Sequence, residues 1–195
     1  KMIQTIADAL ADETCMKGVS YVLMHMRGTP ETMDTLTDYD DVVEEVGQFL
    51  TERIHDFMRA GIPRWRLYCD PGLGFAKTAP QSSQLLADLP RLRQNLPVGM
   101  PLLIGFSRKR MVDHLLRAGL PIPPSTPTDM ADRDIGGLGL SAWATITGVE
   151  ILRLHDVRSA ALLTATMRGL FQHVGADDSR RLYKYAIGNR GRVAE

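Results

Sequence analysis

Apolar positions along this chain alternate between two periods. Ile3, Ile6 and Leu10 fall at helical spacing, and the β-rich apolar run from Val19 to Met26 follows, closed by Gly28 and Pro30. Val42, Val46, Phe49, Leu50, Phe57 and Met58 then mark a long amphipathic helix that ends at Gly61 and Pro63, ahead of a strand from Arg66 to Asp70. The same order recurs twice more. A helix over about 80–95 leads to a strand from Pro101 to Gly105 and a short helix after Ser107; a helix over 132–148 leads to a strand from Glu150 to His155 and a closing helix to Val174.

Strands that are mostly continuous apolar runs, each alternating with a helix, predict an α/β fold with a parallel sheet covered on its faces. An open doubly wound sheet and part of a (β/α)8 barrel both satisfy that pattern. Each predicted strand ends in a polar or glycine-rich turn, namely His25-Met26-Arg27-Gly28, Asp70-Pro71-Gly72, Gly105 to Lys109, and His155-Asp156. In a barrel such ends meet at one rim, whereas in an open sheet they are strung along a line, so four polar ends favour the barrel. A complete barrel takes about 250 residues, which makes four units half of one.

The stretch from Leu116 to Met130 carries Pro121, Pro123, Pro124 and Pro127 and is expected to be a loop, with helix resuming near Asp132. Beyond Gly175 the basic, aperiodic tail reads as a solvated or docked extension, so residues 1-175 form the barrel segment and 176-195 the extension. Lys plus Arg and Asp plus Glu balance at 23 each, so no overall field points to nucleic acid or an anionic membrane, and any anion site is local. Cys15 and Cys69 lack CxxC spacing and read as reduced, inert thiols. With no apolar run near the ~18 residues of a spanning helix, a cytoplasmic or organellar setting is expected. The opening on Lys1, straight into a helical pattern without a cap, suggests a piece of something longer.

The candidate chemistry sits at the strand ends. In the turn from Asp70 to Lys77, a carboxylate precedes two glycines and Phe75, so Asp70 could accept paired hydrogen bonds from a 2-amino-4-oxo heterocycle or merely cap its turn. Arg108, Lys109 and Arg110 open a helix, where cations oppose the macrodipole unless an anion lies between them; this asks for an anionic ligand, or else is a solvated basic turn. Arg153 and His155 alternate to one side of the last strand, and an arginine inside an apolar strand needs a bound anion or an acidic partner. Met24 and His25 could wall a flat aromatic ligand, although a strand methionine is more often core.

Taken in order, Leu23 to Met33, Asp70 to Lys77, Gly105 to Lys109, Arg133 to Gly136 and Leu152 to Val157 resemble the C-terminal half of the dihydropteroate synthases over about residues 2–174. Each motif is weak singly; five in the same order at expected strand ends are specific. The resemblance implies a TIM (β/α)8 barrel, here strands 5 to 8 with their helices, that condenses 6-hydroxymethyl-7,8-dihydropterin diphosphate with p-aminobenzoate in folate biosynthesis, the reaction that sulfonamides target.

On that resemblance Met24, Asp70, Gly105, Lys109 and Arg153 would contact the pterin, with Asp70 and Lys109 central to catalysis. Phe75, Lys109 and Arg110 would border p-aminobenzoate, and Arg153, Leu154 and His155 would hold the diphosphate. Mg2+ would accompany the diphosphate, its protein ligand lying in the upstream half. Partners implied are that upstream half-barrel, a fused pyrophosphokinase of a multifunctional eukaryotic protein, and a second copy in a homo-oligomer; the setting would be cytoplasmic or mitochondrial. Arg110 stands where many relatives carry Ser, and the 121–127 insertion is long for a compact form. Competing readings are a methyltetrahydrofolate methyltransferase-like barrel and a non-catalytic pterin-binding or supporting domain.

Overall fold

The pattern of buried positions explains where each element lies in the computed structural model, which describes residues 5, 6, 8, 9, 19–121 and 126–173. Strand β1 (Tyr21–Met24) pairs in parallel with β2 (Leu67–Asp70), and β3 (Leu103–Ile104) pairs in parallel with β4 (Ile151–Leu152). A parallel bridge between Cys69 and Leu102 joins the two pairs, so the strands run in chain order as one arc. The ladder continues past the short strands, with Cys69 N–H donating to Pro101 O at 2.9 Å, Ile151 N–H to Leu102 O at 3.1 Å and Arg153 N–H to Ile104 O at 2.9 Å.

Helices α1 (Val42–Arg59), α2 (Ala79–Ala87), α3 (Leu89–Gln94), α4 (Arg110–Gly119), α5 (Met130–Ile146) and α6 (Val157–Gln172) fill the connections. Leu23, Leu67, Cys69, Leu102 and Ile104 are buried against this layer, where they meet Val46, Leu50, Ile54, Leu85 and Leu92 in one apolar core. Each fully buried aliphatic side chain there contributes on the order of 1.5–3 kcal/mol. The alternate positions face the inside of the arc, and Val22 and Ile151 are exposed there at 39% and 36%.

Helix α1 is bounded as its sequence requires. Asp41 accepts from Val43 N–H at 3.0 Å and Glu44 N–H at 3.1 Å, and the helix closes at Gly61, whose φ is +92°. Gly61 N–H bonds Met58 O and Ile62 N–H bonds Phe57 O, a Schellman closure with Ile62 and Phe57 both buried.

Four boundaries differ from the sequence expectation. The single helix expected over 80–95 is two, broken at Asp88, because Pro90 has no N–H to give Leu86 O. Trp143 Nε1–H takes that carbonyl instead, at 2.8 Å, which ties α5 to the break. Residues 116–119, expected in a loop, continue α4 until Leu120 turns extended ahead of Pro121. The strand expected over 150–155 is only Ile151–Leu152, and α5 starts at Met130 with Asp129 as its cap. The expected extension 176-195 and Cys15 lie outside the described residues, as does most of the first predicted helix, of which Thr5, Ile6, Asp8 and Ala9 are helical.

Candidate functional site

Strand pleating decides which chemistry meets. Side chains two apart share a face, so Met24, Asp70 and Arg153 project to the inner face of the arc at its C-terminal end, where Gly105 leaves the equivalent position open. Asp70 ends β2 and is only 3% exposed. Its Oδ1 accepts from Gly72 N–H at 2.7 Å, while Arg153 Nη2 stands 4.0 Å from Oδ2. Asp70 therefore does cap its turn with one oxygen, while the other is left to the guanidinium of Arg153. Burial raises its carboxyl pKa, a shift opposed by Gly72 N–H and by Lys109, Arg153 and Lys77.

Lys109, at the cap position of α4, donates from Nζ to Leu73 O and lies 4.8 Å from the centre of the Phe75 ring. Desolvation lowers its pKa to about 8 against the pull of Asp70, with Arg153 lowering it further. Half-buried Phe75, Gly74, Met33, Lys77, Lys109 and Arg110 line a cavity of about 620 Å3. Arg153 lies across Gly105, where a Cβ would come within 3.1 Å of Nε and Nη2. Met24 backs onto Gly72, whose hypothetical Cβ would lie 3.4 Å from Met24 Cγ.

Four sequence expectations change. Arg153 is not buried in an apolar strand; it lies one residue beyond β4 with its side chain 60% exposed, so it needs no partner to offset desolvation. The cations at the start of α4 already have carboxylates: Arg108 is bidentate to Asp134, at 3.0 Å from Nε to Oδ1 and 2.8 Å from Nη2 to Oδ2, and Arg110 meets Asp34 at 3.3 Å. His25 walls no ligand, because it points opposite to Met24 into the helix layer, is 2% exposed, and packs edge-on against Phe49. Leu154 packs against the core, so any anion contact there falls to its backbone. His155 is exposed beside Arg153, with Nδ1 2.9 Å from Ser107 Oγ. Buried Cys69, its thiol pushed up to about 12 by desolvation and then by Asp70, is inert as expected.

The sequence reading missed the support beneath this cleft. Lys77 is buried with Nζ 2.8 Å from His25 Nδ1, and Tyr39 OH donates to Ala76 O at 3.0 Å. Arg27 stacks 3.7 Å from the centre of the Tyr39 ring. The only available signal was that His25 and Lys77 flank glycine-rich strand ends. Ala76 at φ +49° and Arg108 at φ +61° hold left-handed backbone in the two turns that carry the site, a strain that tertiary contacts must maintain.

His25 has a pH consequence. Desolvation, then Lys77 and Arg27, lower its pKa from 6.5 to about 3, so between those values the unfolded chain binds a proton that the folded one refuses. Its contribution to stability is full above pH ~6.5 and is lost as pH falls toward ~3, on the order of 3–5 kcal/mol. Denaturation midpoints followed through that range should drop in the wild type and drop less in His25→Phe; parallel curves would exclude it.

Residues 8–155 match the model of the "Pterin binding enzyme" family. Dihydropteroate synthase of Escherichia coli K12 is 36% identical over 164 residues, which cover 84% of this chain and 52% of that protein. The mitochondrial folate synthesis bifunctional protein of Arabidopsis thaliana is 35% identical over 152 residues, covering 74% of this chain and 26% of that one. Wild-type HPPK-DHPS of Plasmodium falciparum, solved with SDX-DHP, superposes with a TM-score of 0.71 at 33% identity, over 85% of this chain and 28% of that one. The chain thus spans about half the length of the bacterial relative, and its neighbours imply TIM-barrel architecture. A parallel arc with an acidic strand end, a Phe-Lys wall and a family match over 8–155 places this chain in the pterin binding enzyme family.

Proposed function

We propose that these residues are strands 5 to 8, with their helices, of a dihydropteroate synthase barrel, which joins 6-hydroxymethyl-7,8-dihydropterin diphosphate to p-aminobenzoate and releases diphosphate. The observation that carries this reading is Asp70: a nearly inaccessible carboxylate with one oxygen held by its own turn and the other 4.0 Å from Arg153, within the electrostatic reach of Lys109. A carboxylate so placed accepts two N–H bonds from an amino-pyrimidinone edge, and its raised pKa reflects burial that Gly72 N–H, Lys109, Arg153 and Lys77 only partly offset.

Lys109 donates to the ring from the opposite side and, with Phe75 and Arg110, borders the arylamine in the 620 Å3 cavity. Arg153, the Leu154 backbone and His155 receive the diphosphate, for which the exposed guanidinium already lies over Gly105. Departure of diphosphate leaves a methylene cation conjugated with the pterin, so the protein's work is to fix the ring, stabilise the leaving charge and orient the amine. An arylamine is neutral and nucleophilic near pH 7, so the site needs no strong base.

Among the described residues no three His, Cys, Asp or Glu side chains come together to hold a metal. Mg2+ travelling with the diphosphate would take its protein ligand from an upstream half-barrel, and no step here depends on it. The outer edges of β1 and β4 are where that half would close the barrel, and its strands would cover the inner-face residues Val22 and Ile151. Fusion to a pyrophosphokinase, as in the bifunctional relatives, assembly of copies, and a cytoplasmic or mitochondrial setting belong to the same reading. No helix among the described residues is long and apolar enough to cross a membrane.

Arg153→Met tests the assignment of subsites in the full protein. Diphosphate affinity should fall about tenfold or more with p-aminobenzoate affinity nearly unchanged, since a planar donor fork is lost from one subsite only. Calorimetry with each ligand decides; equal losses would make Arg153 a structural partner of Asp70 instead.

A further inference from the structure

The 70–77 turn folds through positive φ at Gly72 (+65°), Gly74 (+75°) and Ala76 (+49°), and it is closed from beneath by one cation. Lys77 is 5% exposed, and its Nζ lies 2.8 Å from His25 Nδ1, 3.1 Å from Gly72 O and 2.9 Å from Phe75 O. An ammonium has three N–H groups and no acceptor, so each proton meets one of these partners. The three belong to the end of β1, the residue whose N–H holds Asp70, and the aromatic wall. Burying a cation this deeply is costly, and an apolar side chain of similar volume would serve the core at least as well.

The geometry points to Lys77 as a positioning residue: its ammonium locks the turn so that Asp70 and Phe75 face one ring, and pterin binds tightly only while all three acceptors are held. This rests on the reading of Asp70 and Phe75 as pterin contacts given above. A neutral amine keeps two N–H groups and turns a lone pair toward the third acceptor, so loss of the proton releases the turn.

Several charged groups face Nζ. Desolvation is the largest influence and disfavours the cation, Asp70 from β2 favours it, and Arg27, beyond β1, and Lys109, at the start of α4, oppose it, which brings the pKa to about 7. His25 stays neutral down to about 3, and from α1 Phe49 packs on it while Glu45 is ion-paired with Arg27. A lysine whose folded pKa lies below its ordinary 10.5 makes the fold more stable as pH rises between the two values, because the unfolded chain then binds the extra proton. Positioning runs the other way: pterin affinity falls over the range in which this contribution to stability grows.

The test uses the full protein, with 6-hydroxymethylpterin as probe, and follows binding by calorimetry and thermal unfolding from about pH 6 to about pH 9. Wild-type affinity should fall in step with the Lys77 Nζ titration followed by ¹⁵N-lysine NMR. Lys77→Met should bind about tenfold or more weakly at pH ~6 and lose that step, while melting no lower than the wild type. Lys109→Met should keep the step, which separates it from the titration of Lys109 near 8. Wild-type-like binding by Lys77→Met, or a loss matched by a lower melting temperature, would overturn the inference. If that variant does not fold, wild-type affinity that ignores the Nζ titration overturns it alone. A wild type that binds no pterin at any pH removes the substrate reading itself and this inference with it.

Discussion

Asp70→Ala in the full protein should lower pterin affinity and turnover by at least about a hundredfold, because it removes a paired, desolvated contact worth roughly 2–4 kcal/mol. The companion substitution Asp70→Asn separates binding from folding. Its amide oxygen can still accept from Gly72 N–H, as Asp70 Oδ1 does at 2.7 Å, but its NH2 group would confront the ring N–H donors. A carboxyl whose folded pKa is raised costs the fold stability above its ordinary range, since the chain must keep a charge where burial disfavours it. Asp70→Asn should therefore melt no lower than the wild type near pH 7 and still bind pterin about a hundredfold more weakly. Calorimetry with the pterin and steady-state kinetics give both numbers; unchanged affinity in either variant would take Asp70 out of the site.

Gly72→Ala should be the most damaging single methyl in the described part of the chain. Its Cβ would lie 2.0 Å from His25 O, a backbone atom that cannot swing away without breaking the His25 N–H bond to Asp70 O at 2.9 Å. The φ of +65° adds conformational strain. Together these should cost on the order of 3 kcal/mol or more, a large share of the 5–15 kcal/mol that holds a typical domain. Gly61→Ala provides the contrast: φ is +92° there, but the Cβ would meet nothing within 4 Å, so only the strain of about 1 kcal/mol applies. Chemical denaturation of both variants should rank them in that order. A Gly72→Ala protein as stable as Gly61→Ala would show that β1 and the turn can separate freely.

These effects come from contacts between segments far apart in the chain, and this is where sequence and structure part. Alternating strand and helix periods and polar strand ends were enough to place Asp70, Gly105, Lys109 and Arg153 at one rim, because pleating and parallel pairing are nearly local rules. The same rule already set Met24 and His25 on opposite faces, yet both were read as ligand walls from their side-chain types. Helix boundaries were legible where a cap or closing residue is local, as at Asp41 and Gly61. The break at Asp88 was misread although its cause, Pro90, is local; only the partner of the freed Leu86 O, Trp143 57 residues away, is set by the tertiary structure.

By itself the sequence determined the strand and helix order, the inner-face residues at the strand ends, and the five-motif resemblance that the family match confirms, since these depend on period, position and residue type along the chain. Only the tertiary structure decided which charges are spent. Asp134 and Asp34 occupy Arg108 and Arg110, whereas Arg153, largely exposed, stands 4.0 Å from the Asp70 oxygen that the turn does not hold. Lys77 is committed to His25 and two carbonyls beneath the turn. Whether a cation is free or paired depends on the distance to a carboxylate anywhere in the fold. Coulombic and hydrogen-bond energies act through space and leave no period in the sequence.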